Sequence, residues 1–175
     1  MIDIKELQRP LRERYETDPG SAPLTLTVRS APSDLDDPLH VAISPDAVPD
    51  VVWRSGAHPA VGGVGDVPCS TDLLLGALAA CQEVTLRMVA ANHGIALAAV
   101  DVVVEGDWDP RGTLAMGRAF PVGLTAIRCT TTVGFAEEVD EDRAARLLRS
   151  AERFCVIRST LTSDIDVTST FEIAA

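Results

Sequence analysis

The chain has 175 residues, of which 46% are hydrophobic, and a formal net charge of −11. This length and apolar content predict one folded unit with a hydrophobic core and argue against a disordered chain. The negative charge argues against nucleic acid or an anionic membrane surface as a partner, because those partners require clusters of Lys and Arg.

The N-terminal segment, residues 1–20, is predicted to be a helical arm that precedes a single domain over residues 21–175. Its apolar residues recur at helical spacing: Ile4, Leu7, Leu11 and Tyr15. The pattern ends at Asp18-Pro19-Gly20. Such a terminal helix needs a surface to pack on, and a partner subunit is one candidate. The segment lacks the positive start and apolar run of a signal peptide, so we expect a cytoplasmic protein.

Three short strands and a loop are predicted to follow the arm. Residues 24–29, 39–43 and 51–53 carry the alternation or the short β-prone runs of strands. Residues 56–68 are rich in Gly and Pro and therefore predict a loop.

The next segment predicts a central helix that is apolar on most sides and therefore buried. Ser70 or Thr71 can cap its start, Asp72 suits the positive end of the helix, and the helix is expected to end before Gly94. Its apolar run is interrupted at Gln82-Glu83, so no membrane-spanning segment is predicted.

The second half of the chain predicts a strand over residues 97–108, a turn over 109–112 and a strand over 123–135. A helix capped by Asp140 is predicted next, over 141–154, and a final strand over 163–173. Strands that occur in runs, rather than alternating singly with helices, indicate the α+β class with mainly antiparallel sheets.

Two of the four cysteines lie on predicted helices, Cys81 within the central helix and Cys155 at the end of the helix 141–154. In a reducing compartment their resting state is the thiol, so a disulfide between them would be transient and catalytic. The cysteines contain no close pair such as C-x-x-C and the histidines are scattered, so no metal and no cofactor is predicted. Two helix-borne thiols indicate redox chemistry.

Two stretches resemble the signature of the OsmC/Ohr family, the osmotically inducible and organic hydroperoxide resistance proteins. They are Gly62-Gly63, Pro68 and Asp72-Leu73-Leu74-Leu75-x-Ala77-Leu78-x-x-Cys81, and Ala151-Glu152-x-x-Cys155 before a final strand. The order of the predicted elements also matches that family from about residue 24 to residue 173. The chain departs from the family pattern at Val156, where Pro is common, and at Asp72, where Glu is common.

The resemblance implies an OsmC-like fold, with mainly antiparallel sheets around two central helices in an intertwined homodimer. It also implies a thiol-dependent peroxidase, in which Cys81 attacks an organic hydroperoxide, Cys155 resolves the product and an external dithiol restores both thiols. A homodimer is also reasonable physically, because one small chain has few elements with which to bury an apolar central helix.

Cys81 lies about two and a half turns into its helix, too far for the helix N-terminus to lower its pKa. A nearby cation is therefore expected to do so. Asp72 faces away from Cys81 on an ideal helix, so its predicted role is to hold an arginine. The resemblance implies that this arginine comes from the N-terminal strands, where Arg54 is the first candidate and Arg29 the second.

A second function stays open beside the peroxidase. The same dimeric fold would bind a small apolar molecule at its interface, with thiols that never cycle. The departures at Val156 and Asp72 motivate this alternative.

Overall fold

Five α-helices, two short 3₁₀ helices (Pro19–Ser21 and Pro59–Val61) and five strands form the regular structure of residues 2–173, the part of the chain that this computed structural model describes. The helices are α1 (Ile4–Thr17), α2 (Ser70–Asn92), α3 (Pro110–Thr113), α4 (Glu141–Phe154) and α5 (Val156–Leu161). The strands are β1 (Val28–Ala31), β2 (His40–Pro45), β3 (Trp53–Gly56), β4 (Leu97–Asp107) and β5 (Ala126–Phe135). The arrangement is α+β, as predicted.

The strands form two antiparallel sheets, one in the order β1-β2-β3 and one that pairs β4 with β5. Two strands begin later in the chain than predicted. The strand predicted over residues 24–29 is β1, which begins at Val28, and the strand predicted over residues 51–53 is β3, which begins at Trp53. The reason is register, because Val28 pairs with Pro45 and Trp53 with Ile43, whereas the alternating residues 24–27 have no strand opposite them in the sheet.

Helix α2 begins one residue earlier than its predicted cap, because Cys69 occupies the N-cap position instead of Ser70 or Thr71. Asp72, in the first turn, accepts a hydrogen bond from the Cys69 backbone N–H at 2.8 Å, which is one half of a capping box. The helix ends before Gly94, as predicted, and the φ of +63° at Gly94 is the left-handed conformation that favours glycine.

The hydrophobic core lies between α2, α4 and the sheet of β4 and β5. Its buried members are Leu86, Ala90, Ile95, Leu147 and Ala151. Helix α4 supplies the last two, while Leu148 of the same helix is 43% exposed. The packing of α4 against α2 fixes where α4 ends, and with it the position of Cys155.

The prediction of a final strand over residues 163–173 is wrong for the single chain. These residues follow α5, a short helix that the sequence pattern did not predict, and form no helix or strand. A strand requires a neighbour with which to exchange hydrogen bonds, and none lies beside this segment within residues 2–173. Its apolar side chains point into solvent, with Phe171 93% and Ile173 100% exposed.

Helix α2 is less buried than its sequence predicts. Leu78, Leu86 and Ala90 are buried, but Val84 is 53% exposed. By length and composition alone α2 would also suffice to cross a membrane, since its most apolar window has a mean hydropathy of 1.5. A core helix passes the same test, and α2 packs on β4, α4 and α5.

The predicted N-terminal helix is present as α1, and it packs against α2. Of its predicted apolar stripe, Leu7 and Leu11 are exposed, whereas Ile4 and Tyr15 are partly buried. The division into an arm over residues 1–20 and a domain over residues 21–175 stays a prediction.

Replacing Leu147 by alanine tests the α2–α4 packing. Leu147 is fully buried, so Leu147→Ala should lower the free energy of unfolding by about 2–5 kcal/mol. Leu148→Ala is the matched control on the same helix and should cost clearly less, because Leu148 is partly in solvent. Urea denaturation measures both variants, and equal losses would contradict this description of the core.

Candidate functional site

The two cysteines of the predicted pair come together in the structure. Cys81 is partly buried in the middle of α2, and Cys155 is fully buried between the end of α4 and the start of α5. Both residues are free thiols, and they lie close enough for each to shift the pKa of the other. The site is therefore a thiol pair, one member of which is reachable from solvent.

The environment of Cys81 favours its thiolate. Burial raises the pKa of this thiol, but hydrogen bonds outweigh burial and the net pKa lies below the ordinary value. The donors are the Ile157 backbone N–H, the Cys155 thiol, the Thr85 hydroxyl and the Val156 backbone N–H. A thiolate is the nucleophilic form of cysteine, so Cys81 is the more reactive member of the pair.

The environment of Cys155 has the opposite effect. Burial raises the pKa of Cys155, and although the Arg158 backbone N–H lowers it, the neighbouring Cys81 raises it further. Cys155 therefore keeps its proton at a pH where Cys81 has begun to lose its own. This asymmetry agrees with the order of roles predicted for the two cysteines.

The donors from Val156 and Ile157 exist because a new helix starts at Cys155. Cys155 is the N-cap of α5, and the first N–H groups of a helix have no acceptor within the helix. Two of these groups donate to the Cys81 sulfur. The predicted cation is thus not among the groups that lower the pKa of Cys81 in the described chain; neutral donors from a second helix do so instead.

Neither predicted arginine contacts Cys81 within residues 2–173. Arg54 lies on β3 near Asp66, whose pKa is lowered chiefly by a hydrogen bond from His40 and slightly by the charge of Arg54. Arg29 forms an ion pair with Asp46 at 2.8 Å. The role of either arginine at Cys81 stays a prediction, and it requires a second copy of the chain or a rearrangement.

Asp72 has a structural position in this chain. Its carboxylate accepts the Cys69 N–H at the start of α2, far along the helix from Cys81. The predicted contact between Asp72 and an arginine is absent from the described residues. A catalytic role for Asp72 stays a prediction.

A cavity of about 800 Å³ lies between α1 and α2, and its lining includes Phe154, the residue before Cys155, but neither cysteine of the pair. Met88, Val89 and Phe154 line one side of it, and the polar face of α1 lines the other. Thr85, which donates to Cys81, also lines this cavity. An organic molecule bound there would contact Thr85, one helical turn from Cys81.

The structure thus adds to the site three donors that the sequence analysis missed: Thr85, Val156 and Ile157. The signal for Thr85 was its spacing, since a residue four positions after Cys81 on a helix lies on the same face. The backbone donors had no such signal, because α5 itself was not predicted. Among residues 2–173 no group of His, Cys, Asp and Glu is arranged to hold a metal ion.

Comparison with known proteins connects this geometry to one family. A family model described as OsmC-like protein matches residues 63–170. No functionally curated protein matches the chain.

Several solved structures share the fold. An OsmC-like protein of unknown function from Vibrio cholerae is 12% identical, with a TM-score of 0.64 over 81% of this chain and 96% of that chain. An OsmC-like protein from Mycoplasma pneumoniae is 16% identical, with a TM-score of 0.62 over 79% and 87%. An organic hydroperoxide resistance protein from Elizabethkingia anophelis is 14% identical, with a TM-score of 0.59 over 83% and 93%. Identities this low show a common fold and nothing finer.

The variant Val156→Pro tests the backbone donor at Val156. Proline has no N–H but suits the first position of a helix, and Cys155 before it has the extended backbone (φ −71°, ψ 106°) that a following proline favours. We expect the pKa of Cys81 to rise, because the thiolate loses a donor, and the pH midpoint of its alkylation by iodoacetamide to rise with it. Val156→Ala keeps the N–H and is the matched control. Identical midpoints for the two variants would contradict the donor role.

Proposed function

Because this chain belongs to the OsmC-like protein family, we propose that it is a thiol-dependent peroxidase that reduces organic hydroperoxides with Cys81 and Cys155. The observation that carries the proposal is the asymmetric thiol pair, in which the pKa of Cys81 is lowered and that of Cys155 is raised. A similar fold in an organic hydroperoxide resistance protein supports the choice of substrate class.

The first step is nucleophilic attack by the Cys81 thiolate on the distal oxygen of the hydroperoxide. A sulfur–oxygen bond forms as the peroxide bond breaks, so the sulfur is oxidised to a sulfenic acid. The alkoxide leaves and takes a proton from solvent to become an alcohol. The hydrogen bonds that lower the pKa of Cys81 serve this step by maintaining a population of thiolate.

The second step joins the two cysteines. The Cys155 sulfur attacks the sulfenic sulfur of Cys81, and the hydroxide that leaves combines with the Cys155 proton as water. An external dithiol then reduces the Cys81–Cys155 disulfide by thiol–disulfide exchange and is itself oxidised to a disulfide. The burial of Cys155 supports this role. A buried thiol that keeps its proton is less reactive toward the peroxide and remains reduced until the sulfenic acid forms beside it.

A homodimer is part of this proposal. Apolar side chains stand exposed on α1, on α2 and in the segment 163–173, among them Leu7, Val84 and Phe171. Exposed apolar side chains in this number are more typical of an interface than of the surface of a monomer. A second copy would cover α2, offer a strand edge to the segment 163–173, and bring Arg54 or Arg29 toward Cys81.

The alternative function, a dimer that binds a small apolar molecule without redox cycling, has one observation in its favour. The cavity of about 800 Å³ between α1 and α2 is within the size range of ligand pockets and carries Met88, Val89 and Phe154 on one side. In this case the ligand would occupy the cavity while the thiols remain unchanged by peroxide.

Replacing each cysteine in turn separates the two functions and the two roles. Cys81→Ser should abolish even the first turnover of cumene hydroperoxide, because it removes the nucleophile. Cys155→Ser should keep that first turnover and lose recycling with a dithiol, because the sulfenic acid has no resolving thiol. Single-turnover measurements of alcohol product, with peptide mapping of a Cys81–Cys155 disulfide in the unmodified protein, provide the readout.

Two results of this experiment would count against the proposal. Full single-turnover activity in Cys81→Ser would overturn the peroxidase mechanism and leave the binding function as the better account. Equal loss of the first turnover in both variants would contradict the assignment of attack to Cys81 and resolution to Cys155.

Sedimentation tests the homodimer. The unmodified protein should sediment at about twice the chain mass of 18.6 kDa at micromolar concentration. Val84→Glu should shift it toward the monomer, because a charge at a buried apolar interface is costly. Arg87→Glu, at an exposed position of α2 that is already charged, is the matched control. A stable folded monomer of the unmodified protein would refute the dimer.

A further inference from the structure

His40, the first residue of β2, lies between two aspartates that come from different segments of the chain. Its Nδ1 atom is 2.7 Å from a carboxylate oxygen of Asp37, and its Nε2 atom is 2.9 Å from a carboxylate oxygen of Asp66. Asp37 lies three residues before His40, whereas Asp66 belongs to the loop 57–68, which leads into α2. The imidazole ring therefore joins this loop to the sheet of β1, β2 and β3.

The geometry requires His40 to carry a positive charge. A neutral imidazole has one N–H donor and one nitrogen lone pair, whereas an imidazolium ion has two donors. A lone pair that faced a carboxylate oxygen at hydrogen-bond distance would be repelled, so only the imidazolium satisfies both contacts. The titration properties agree, because hydrogen bonds with Asp66 and Asp37 raise the pKa of His40, and His40 in turn lowers the pKa of both carboxyl groups.

Two further charged groups lie near His40. Arg54 of β3 shares a face of the sheet with His40, because the register of β2 and β3 makes the two residues diagonal neighbours. Arg54 and Asp34 also line the same cavity of about 330 Å³ as His40, and the charge of Arg54 slightly lowers the pKa of Asp66. Among the described residues, Asp37 and Asp66 are the groups within ion-pair distance of His40. These two carboxylates therefore determine whether His40 holds its proton.

The loop is attached to the sheet at both of its ends. At its start, the Ala57 N–H donates to the Leu39 carbonyl at 2.8 Å. Space is short at this point, because a Cβ atom on Gly56 would lie 2.9 Å from the Leu39 oxygen and 3.1 Å from the ring of His40. Near its end, the Asp66 carboxylate provides a side-chain link to the sheet, and this link runs through His40.

We propose that Asp37, His40 and Asp66 form a proton-dependent clasp, which holds the loop 57–68 against β2 while His40 is charged and releases the loop when His40 is neutral. A neutral His40 keeps one N–H. The contact with Asp37 lies within one short segment, so it costs less chain entropy than the contact with Asp66, which orders a separate loop. Nδ1 therefore keeps the proton, and the Nε2 lone pair repels Asp66.

The direction of the pH dependence follows from the signs of the shifts. Folding raises the pKa of His40, so its contribution to stability is complete below the usual value of 6.5 and is lost as the pH rises through the raised value. Folding lowers the pKa values of Asp37 and Asp66, so their contribution is lost only as the pH falls through the lowered values. The clasp is thus closed in mildly acidic solution and opens as the pH rises past the pKa of His40.

The experiment follows two NMR signals of the full-length protein as a function of pH. The Cε1 proton of His40 reports the charge of the ring. Amide exchange, expressed as protection factors that remove the intrinsic effect of pH, reports on the loop at Gly56 and Gly63. The Gly56 N–H donates to the carbonyl of Pro68, two residues after Asp66, at 3.1 Å, and the Gly63 N–H donates within the loop.

Three variants separate the members of the clasp. Asp66→Asn removes the charge on the loop, and Asp37→Asn removes the charge beside β2. Asp36→Asn is the matched control, because Asp36 is an exposed neighbour of Asp37 and its carboxylate makes no ion pair with His40.

In the unmodified protein, the His40 midpoint should lie above 6.5, and protection in the loop should fall about two- to fivefold at the same midpoint, the factor typical of an exposed ion pair. Asp37→Asn should move both midpoints to lower pH together, because His40 loses one of its two anions. Asp66→Asn should abolish the pH-dependent step, because an amide can accept from an imidazolium or donate to a neutral imidazole. Asp36→Asn should match the unmodified protein.

Loop protection that stays constant while His40 titrates in the unmodified protein would overturn the proposal, because the three side chains would then have no hold on the loop. So would a His40 midpoint at or below 6.5, or a pH-dependent step that survives in Asp66→Asn. The first two outcomes need no variant to fold. Peroxide reduction enters none of these measurements, so failure of the proposed function would leave this inference unaffected.

Discussion

The packing of α4 against α2 is the interaction on which the rest of the site depends. Leu147 and Ala151 of α4 meet Leu86 and Ala90 of α2 in the buried core. This contact fixes the end of α4 beside the middle of α2, so that Cys155 reaches a sulfur far from it in sequence. Because the chain turns into α5 immediately afterwards, the same contact also aims the first N–H groups of α5 at Cys81.

A consequence of this arrangement is that neutral groups stabilise the thiolate within one chain. Hydrogen bonds from two backbone N–H groups, a hydroxyl and a thiol outweigh the effect of burial on the pKa of Cys81. Such donors are short-ranged and already in place before a substrate binds, so they need little rearrangement when charge moves during the reaction. Val156, where the sequence departs from the family pattern, contributes one of these backbone N–H groups, and a proline at that position would have no N–H to donate to Cys81.

Two regions outside the core, helix α1 and the segment 163–173, bear on how the site is shielded from solvent. Helix α1 lies outside the part of the chain that matches the family model, yet it forms one wall of the cavity next to Thr85. Its polar face turns toward that cavity while Leu7 and Leu11 remain exposed, and the segment 163–173 is equally uncovered. The exposed apolar side chains on these two regions are of the kind that proteins usually bury, and a second copy of the chain is the partner that our proposal assigns to them.

The sequence by itself determined the α+β class and the bounds of α2, β4 and α4, and it singled out Cys81 and Cys155, the two cysteines that the fold brings together. Local signals sufficed for these features: strong periodicity, the Gly94 stop, the Asp140 cap and the spacing of the cysteines. Only the tertiary structure decided the ends of β1 and β3, the start of α5, the absence of a strand over 163–173 and the donors to Cys81. Strand ends depend on the register of a partner strand, and a pKa depends on which groups the fold brings to a sulfur, neither of which is recorded in local sequence.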